Sequence, residues 1–214
     1  MADAKISAFP TITSPLDADL VPIVEAGATN TITLNNLTAY FEQRGRQNNA
    51  SVASQTPTGA TDTYLVGSDV AIPANRLQAK SAYRLVMYMS KTAAGVAAMV
   101  IAVRIGTGGT TADTARATLT FSAQTAAIDT GRVDLDVTFN SVGSGTSAVI
   151  RADALLDHQL AATGWTTLNS DVKGATSAGF DSTVAGLKIG CSVIMGSATV
   201  ATITKVRAEL FNLA

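Results

Sequence analysis

Between Arg132 and Phe139 the chain reads RVDLDVTF, with Val133, Leu135, Val137 and Phe139 at alternate positions and Arg132, Asp134, Asp136 and Thr138 between them. A period of two is the side-chain period of a pleated strand, so this segment buries one face and leaves the other to water. A helix would scatter the same residues around its circumference. The pattern returns near the C-terminus, where Val206, Ala208 and Leu210 oppose Lys205, Arg207 and Glu209 within a strand predicted over 198–211. Segments 82–88, 97–105, 115–122, 147–156 and 186–195 are also apolar or alternating, with Gly, Thr and Asp at the breaks. Roughly eight strands at regular spacing, with no convincing long helix in the body, predict a β-sandwich, a jelly roll being the first expectation.

Composition agrees with this. The chain is 47% hydrophobic but only 14% charged and 5% aromatic. That is too apolar for disorder and too sparsely charged for a helical bundle laced with ion pairs. A formal net charge of −1 argues against a nucleic-acid binder, which needs a basic face to displace counterions from phosphates. Low charge also offers little protection against association, so ordered self-assembly is expected. The single cysteine, Cys191, cannot close an intrachain disulfide. The opening MADAKISAFP lacks a basic stretch followed by an apolar core, and the longest apolar run, 97–103, is too short to span a bilayer. A soluble protein made in a cytoplasm, without membrane insertion, is the expectation.

The first 46 residues have a different texture. Leu20–Val24 (LVPIV) and Thr31–Leu34 (TITL) read as two short strands joined by Glu25–Asn30. Pro22 has no N–H for a ladder and so belongs at an open edge or a bulge. Leu37, Tyr40, Phe41 and Arg44 follow at helical spacing, with Asn35 or Asn36 to cap the start and Gly45 to end it. A hairpin plus one short helix hardly buries a core of its own and needs a neighbour. Residues 47–62, QNNASVASQTPTGATD, contain one bulky apolar side chain, Val52, and read as a polar linker. The expected organisation is therefore a small module over 1–46, a linker over 47–62 and a β-sandwich over 63–214.

Few residues point to chemistry. Cys191, the only histidine His158 and a carboxylate would be the elements of a nucleophilic triad. Cys191, however, sits in the apolar alternation Leu187, Ile189, Cys191, Val193, where a thiol is a small inert hydrophobe. The loop Gly106-Thr107-Gly108-Gly109-Thr110-Thr111 superficially resembles a phosphate cradle, but it lacks the lysine and the following helix. Asp17/Asp19 and Asp134/Asp136 lack the further ligands of a cation site, and no cofactor or metal is expected. Trp165, the lone tryptophan, either plugs an open end of the sandwich or stands exposed as an anchor for a glycan or partner.

The opening pattern resembles a recurrent N-terminal module of tailed-bacteriophage virion proteins. The resemblance rests on Ile6-Ser7-Ala8-Phe9-Pro10, Asp19-Leu20-Val21-Pro22-Ile23-Val24, Gly27, Thr29 and the TITL strand. That family usually carries Leu where Phe9 stands. The body is similar to phage structural domains through 64–68, 90–95, 104–107 and 124–131. The resemblance implies a non-enzymatic virion component, commonly trimeric. Ile6, Phe9, Leu20, Val21, Ile23, Leu37, Tyr40 and Phe41 would be the residues docking on a capsid or tail protein. A head fibre, decoration protein or short tail fibre fits, with a host-receptor or glycan-binding module as the alternative. In that alternative, loops around Trp165 or 106–113 form the binding tips. A depolymerase is the remoter reading, since its long strand coils and clustered carboxylates are not visible.

Overall fold

The computed structural model describes residues 20–25, 28–33, 46–92 and 95–213. The chain divides into two compact units, 1–44 and 45–214. Of the first unit, the described residues form an antiparallel pair, β1 (Leu20–Glu25) and β2 (Ala28–Thr33). Its register runs from Leu20 opposite Thr33 to Glu25 opposite Ala28, so only residues 26 and 27 join the strands. The ladder takes in Glu25 and Ala28 to Asn30, four of the six residues that the sequence assigned to the turn. Pro22 stands opposite Thr31. The helix expected after Asn35 lies outside the described residues, as do Ile6, Phe9, Leu37, Tyr40, Phe41, Asp17 and Asp19.

The second unit is all-β among its described residues. Its strands are β3 (Arg46–Ser51), β4 (Thr63–Tyr64), β5 (Val70–Ala71), β6 (Ala82–Lys91), β7 (Val100–Gly106) and β8 (Thr114–Thr120). Then follow β9 (Asp129–Ser141), β10 (Val149–His158), β11 (Ser170–Thr176), β12 (Lys188–Ile194) and β13 (Ala201–Phe211). They form two antiparallel sheets. One has six strands in the order β11-β10-β9-β6-β13-β3, and the other has five, ordered β4-β12-β7-β8 with β5 also paired to β12. The alternation legible in the sequence becomes the sandwich interior. Val133, Leu135, Val137 and Phe139 of β9 are completely buried, as are Leu85 and Met87 of β6 and Val206, Ala208 and Leu210 of β13. Opposite them lie Ile101 and Val103 of β7 with Ile189, Cys191 and Val193 of β12.

Three findings correct the sequence reading. First, the connectivity departs from the expected jelly roll. β7–β8 is a hairpin within one sheet and β9–β10–β11 a meander within the other, whereas a jelly roll winds two Greek keys across its sheets. Second, residues 47–62 do not form a free linker. Arg46–Ser51 pairs with Val206–Phe211 as an edge strand, and Gln55 and Thr58 bridge to Ile203 and Val200. A polar sequence suits an edge, where one side of every residue faces water and apolar content invites aggregation. Third, Ser170–Thr176 forms a strand that the sequence hid, because Val172 points outward and a glycine sits in its middle.

Two short strands share one edge of β12. Tyr64 pairs with Ser192, and Val70 with Ile189. Between them the chain turns through Gly67 (φ 85°), and the ladder is completed by a side chain. Ser68 Oγ accepts from the Cys191 amide at 3.1 Å and donates to the Leu65 carbonyl at 2.7 Å. A buried hydroxyl thus supplies the partner that the interrupted backbone cannot.

Candidate functional site

One end of the sandwich is closed by a buried polar knot. β6 ends, β9 begins and β10 ends side by side, with Lys91 opposite Asp129 and Gly131 opposite His158. The Lys91 ammonium, only 2% exposed, donates to Gln124 Oε1 (2.9 Å) and to the carbonyls of Thr125 (2.6 Å) and Gly164 (3.2 Å). Burial pushes its pKa down, with the nearby Asp129 charge opposing the shift. Asp129 Oδ2 accepts from the Trp165 amide at 3.0 Å and lies 2.7 Å from His158 Nδ1. His158 Nε2 donates to the Leu168 carbonyl at 2.7 Å, since a carbonyl can only accept. Nε2 therefore holds the 159–169 loop directly, while Nδ1 is engaged by Asp129 of β9, which in turn accepts from the Trp165 amide of that loop.

Trp165 lies within this knot and is fully buried, so it is not a surface recognition residue. It plugs the end of the core, with the Lys91 ammonium 5.8 Å from its ring centroid. The close approach of Gly131 makes room for it: a Cβ there would meet Trp165 Cδ1 at 2.9 Å. Of the two roles that sequence allowed for this tryptophan, packing decides for the plug.

The suspected triad is not assembled. Cys191 is buried in the core, and its sulfur lies 3.8 Å from the Tyr83 hydroxyl, whereas His158 is held by Asp129 and Leu168. Burial pushes the Cys191 thiol up to about 12, the reverse of an activated nucleophile. The glycine-rich loop is likewise occupied by its own chain. The Asp113 carboxylate accepts from the amides of Gly108 (3.0 Å), Gly109 (2.6 Å) and Thr110 (3.3 Å), which are the donors a phosphate would need. Arg104 ties the same loop down by donating to the Thr111 carbonyl (2.8 Å) while pairing with Asp62.

The outer face of the six-stranded sheet gathers an unusual share of the charge. It presents six cations, Arg46, Arg84, Arg132, Arg151, Lys205 and Arg207, and five carboxylates, Asp134, Asp136, Asp153, Asp157 and Glu209. Opposite signs alternate and pair. Arg84 meets Asp136 across strands at 3.1 Å, Arg132 meets Asp134 at 2.7 Å, and Arg151 meets Asp153 at 2.6 Å. Arg46 and Arg207 both contact Glu209, whose carboxyl is held below its usual range chiefly by the Arg46 hydrogen bond. Two adjoining hollows of about 480 and 700 Å³ open on this face and share Arg132. Tyr88 lines the larger one, 40% exposed, with Arg132 Cζ and Lys205 Nζ each 5.7 Å from its ring centroid. The sequence placed Arg132, Asp134 and Asp136 on a solvated face, but the hollows and the position of Tyr88 depend on which strands are neighbours. Among the described residues, no three His, Cys, Asp or Glu side chains are grouped to hold a metal ion, and no helix is long and apolar enough to cross a membrane.

No protein-family model and no curated protein matches the chain. Among solved structures, it is similar to the CBM2 module of the evolved Dit protein of Lactobacillus casei BL23 phage J-1. The two share 9% identity at a TM-score of 0.27, over 79% of this chain and 99% of that one. A second similarity is to the infectious bursal disease virus VP2 subviral particle, with 10% identity and a TM-score of 0.24, covering 92% of this chain and 48% of that one.

Proposed function

We propose that this chain is a structural component of a tailed-phage virion, made in the bacterial cytoplasm, that docks through its N-terminal unit and displays the β-sandwich on the head or tail surface. The observation that carries the reading is the division into a small unit over 1–44, bearing the phage-like opening pattern, and a larger sandwich with a continuous core of its own. A two-stranded ribbon is marginal by itself in water, and this reading gives it another surface to pack on. Leu20, Val21 and Ile23 lie on β1 of that ribbon and, with Ile6, Phe9, Leu37, Tyr40 and Phe41, are the proposed contacts to a capsid or tail protein. The role is non-enzymatic, and the sandwich works as a homotrimer of head-fibre, decoration or short tail-fibre type.

Deletion of residues 1–44 tests this reading, because it spares Arg46–Ser51 and so leaves the sandwich edge intact. The truncated protein should unfold cooperatively near the full-length midpoint yet be missing from purified particles. Wild-type incorporation of the truncation would refute the docking role. Sedimentation equilibrium of the same protein checks the trimer.

A further inference from the structure

We infer that the outer face of the six-stranded sheet is a binding groove for a neutral oligosaccharide, centred on Tyr88 and Arg132. The two hollows sharing Arg132 run from the row of Arg84 and Asp136 to the row of Ser90 and Thr130, about 20 Å at the strand rise. That length suits a short chain of sugar units. Tyr88, 40% exposed and flanked by Arg132 and Lys205, supplies an aromatic ring whose exposed part is a rigid surface against which the C–H groups of a pyranose pack at low entropic cost. Around it stand groups that bond hydroxyls in pairs: the Arg132 guanidinium, the carboxylates of Asp134 and Asp157, and the Gln159 amide. Gln159 Oε1 accepts from Thr130 Oγ1 at 3.0 Å, which fixes the orientation of that amide.

The charge pattern selects the ligand. A nucleic acid or other polyanion needs a face of one sign, and here carboxylates alternate with every cation and would repel phosphates. A protein partner, a second copy included, would have to bury these ions away from water, and the desolvation cost of ion pairs can exceed their mutual attraction. A polyol exchanges water hydroxyls for sugar hydroxyls group by group and leaves the ion pairs solvated. An uncharged polyol is therefore the ligand that this near-neutral lattice accommodates best.

The test titrates full-length protein with cello-, malto-, manno- and chito-oligosaccharides, with dextran sulfate as the polyanionic comparator, while amide shifts of β6, β9 and β13 are followed by NMR. At least one neutral oligosaccharide should shift these strands, and Tyr88→Ala should weaken its binding by about tenfold or more, with the unfolding midpoint unchanged. Thr118→Ala, on the exposed face of β8, should leave binding as it was. Failure of every neutral oligosaccharide at millimolar concentration would overturn the inference, as would preferential binding of dextran sulfate or full affinity in Tyr88→Ala. Self-association abolished by Tyr88→Ala would assign the face to a second copy and overturn it equally. None of these outcomes depends on virion incorporation.

Discussion

Replacing Lys91 by methionine removes the ammonium from the buried knot while keeping most of the apolar stem. Gln124 Oε1 and the carbonyls of Thr125 and Gly164 then lose their common donor in a place where water has little access. A hydrogen bond to a charged group contributes about 1.5–3 kcal/mol, and removing one partner leaves the other carrying its full desolvation penalty. These bonds, with a longer fourth to the Gly95 carbonyl at 3.4 Å, share one cation whose own burial is costly, as its lowered pKa records, so they do not simply add. The precedent for breaking one side of a buried charged network, about 3–5 kcal/mol, is the better estimate. For a unit of this size, each kcal/mol moves the thermal midpoint by about 2–4 °C, giving a fall of about 6–20 °C. Calorimetry of Lys91→Met beside Lys205→Met, an exposed lysine expected to change stability by less than about 0.5 kcal/mol, is the assay. If the two variants melt within about 2 °C of each other, the knot does not hold the end of the sandwich, and the reasoning fails.

Further expectations concern other parts of the molecule. Asp113→Ala strips the acceptor from three loop amides, so hydrogen exchange at Gly108, Gly109 and Thr110 should accelerate while global stability falls by only about 1–2 kcal/mol. Cys191 should resist thiol reagents in the folded protein at neutral pH and react upon denaturation, so its labelling rate becomes a direct readout of opening. Acid stability has a definite sign. Glu209 is held low first by Arg46, while Asp171 is held low by Lys173 and the Ser122 amide against an opposing burial effect. Their contribution is complete above the ordinary carboxylate range, about pH 4, and drains away as pH falls further, which denaturant titrations between pH 6 and pH 2 should record as a midpoint falling only below about pH 4.

Seven of the eleven strands of the sandwich were legible in the sequence, most because they bury one face and so imprint a period of two, β7 and β12 because both faces are buried and they read as apolar runs. Arg132–Phe139 is the clearest case, and β9 extends it at both ends without changing which residues face inward. The elements that escaped are those whose stability comes from their neighbours. Arg46–Ser51 has no apolar face and becomes a strand only because β13 offers a free ladder, while β4 and β5 are two residues each and exist as appendages of β12. Trp165 could not be placed from its local sequence, since the pocket that receives it is made by Gly131, Lys91 and Asp129 on other strands. The charged face was half visible. The outward residues of β9 could be read, but the Arg84–Asp136 pairing across β6 and β9 and the seating of Tyr88 beside Arg132 required strand order.

The pairing of Arg46–Ser51 with β13 has a mechanical side. A pull applied to the chain ahead of β3 enters the sheet at Arg46, the first residue of that strand. The load falls first on Arg46, opposite Phe211 and clamped to Glu209, and a rupture would travel inward from there toward Ser51 and Val206. The Arg46–Glu209 pair is thus the first side-chain tie that such a load meets, and loss of β3 begins by peeling an edge strand from β13.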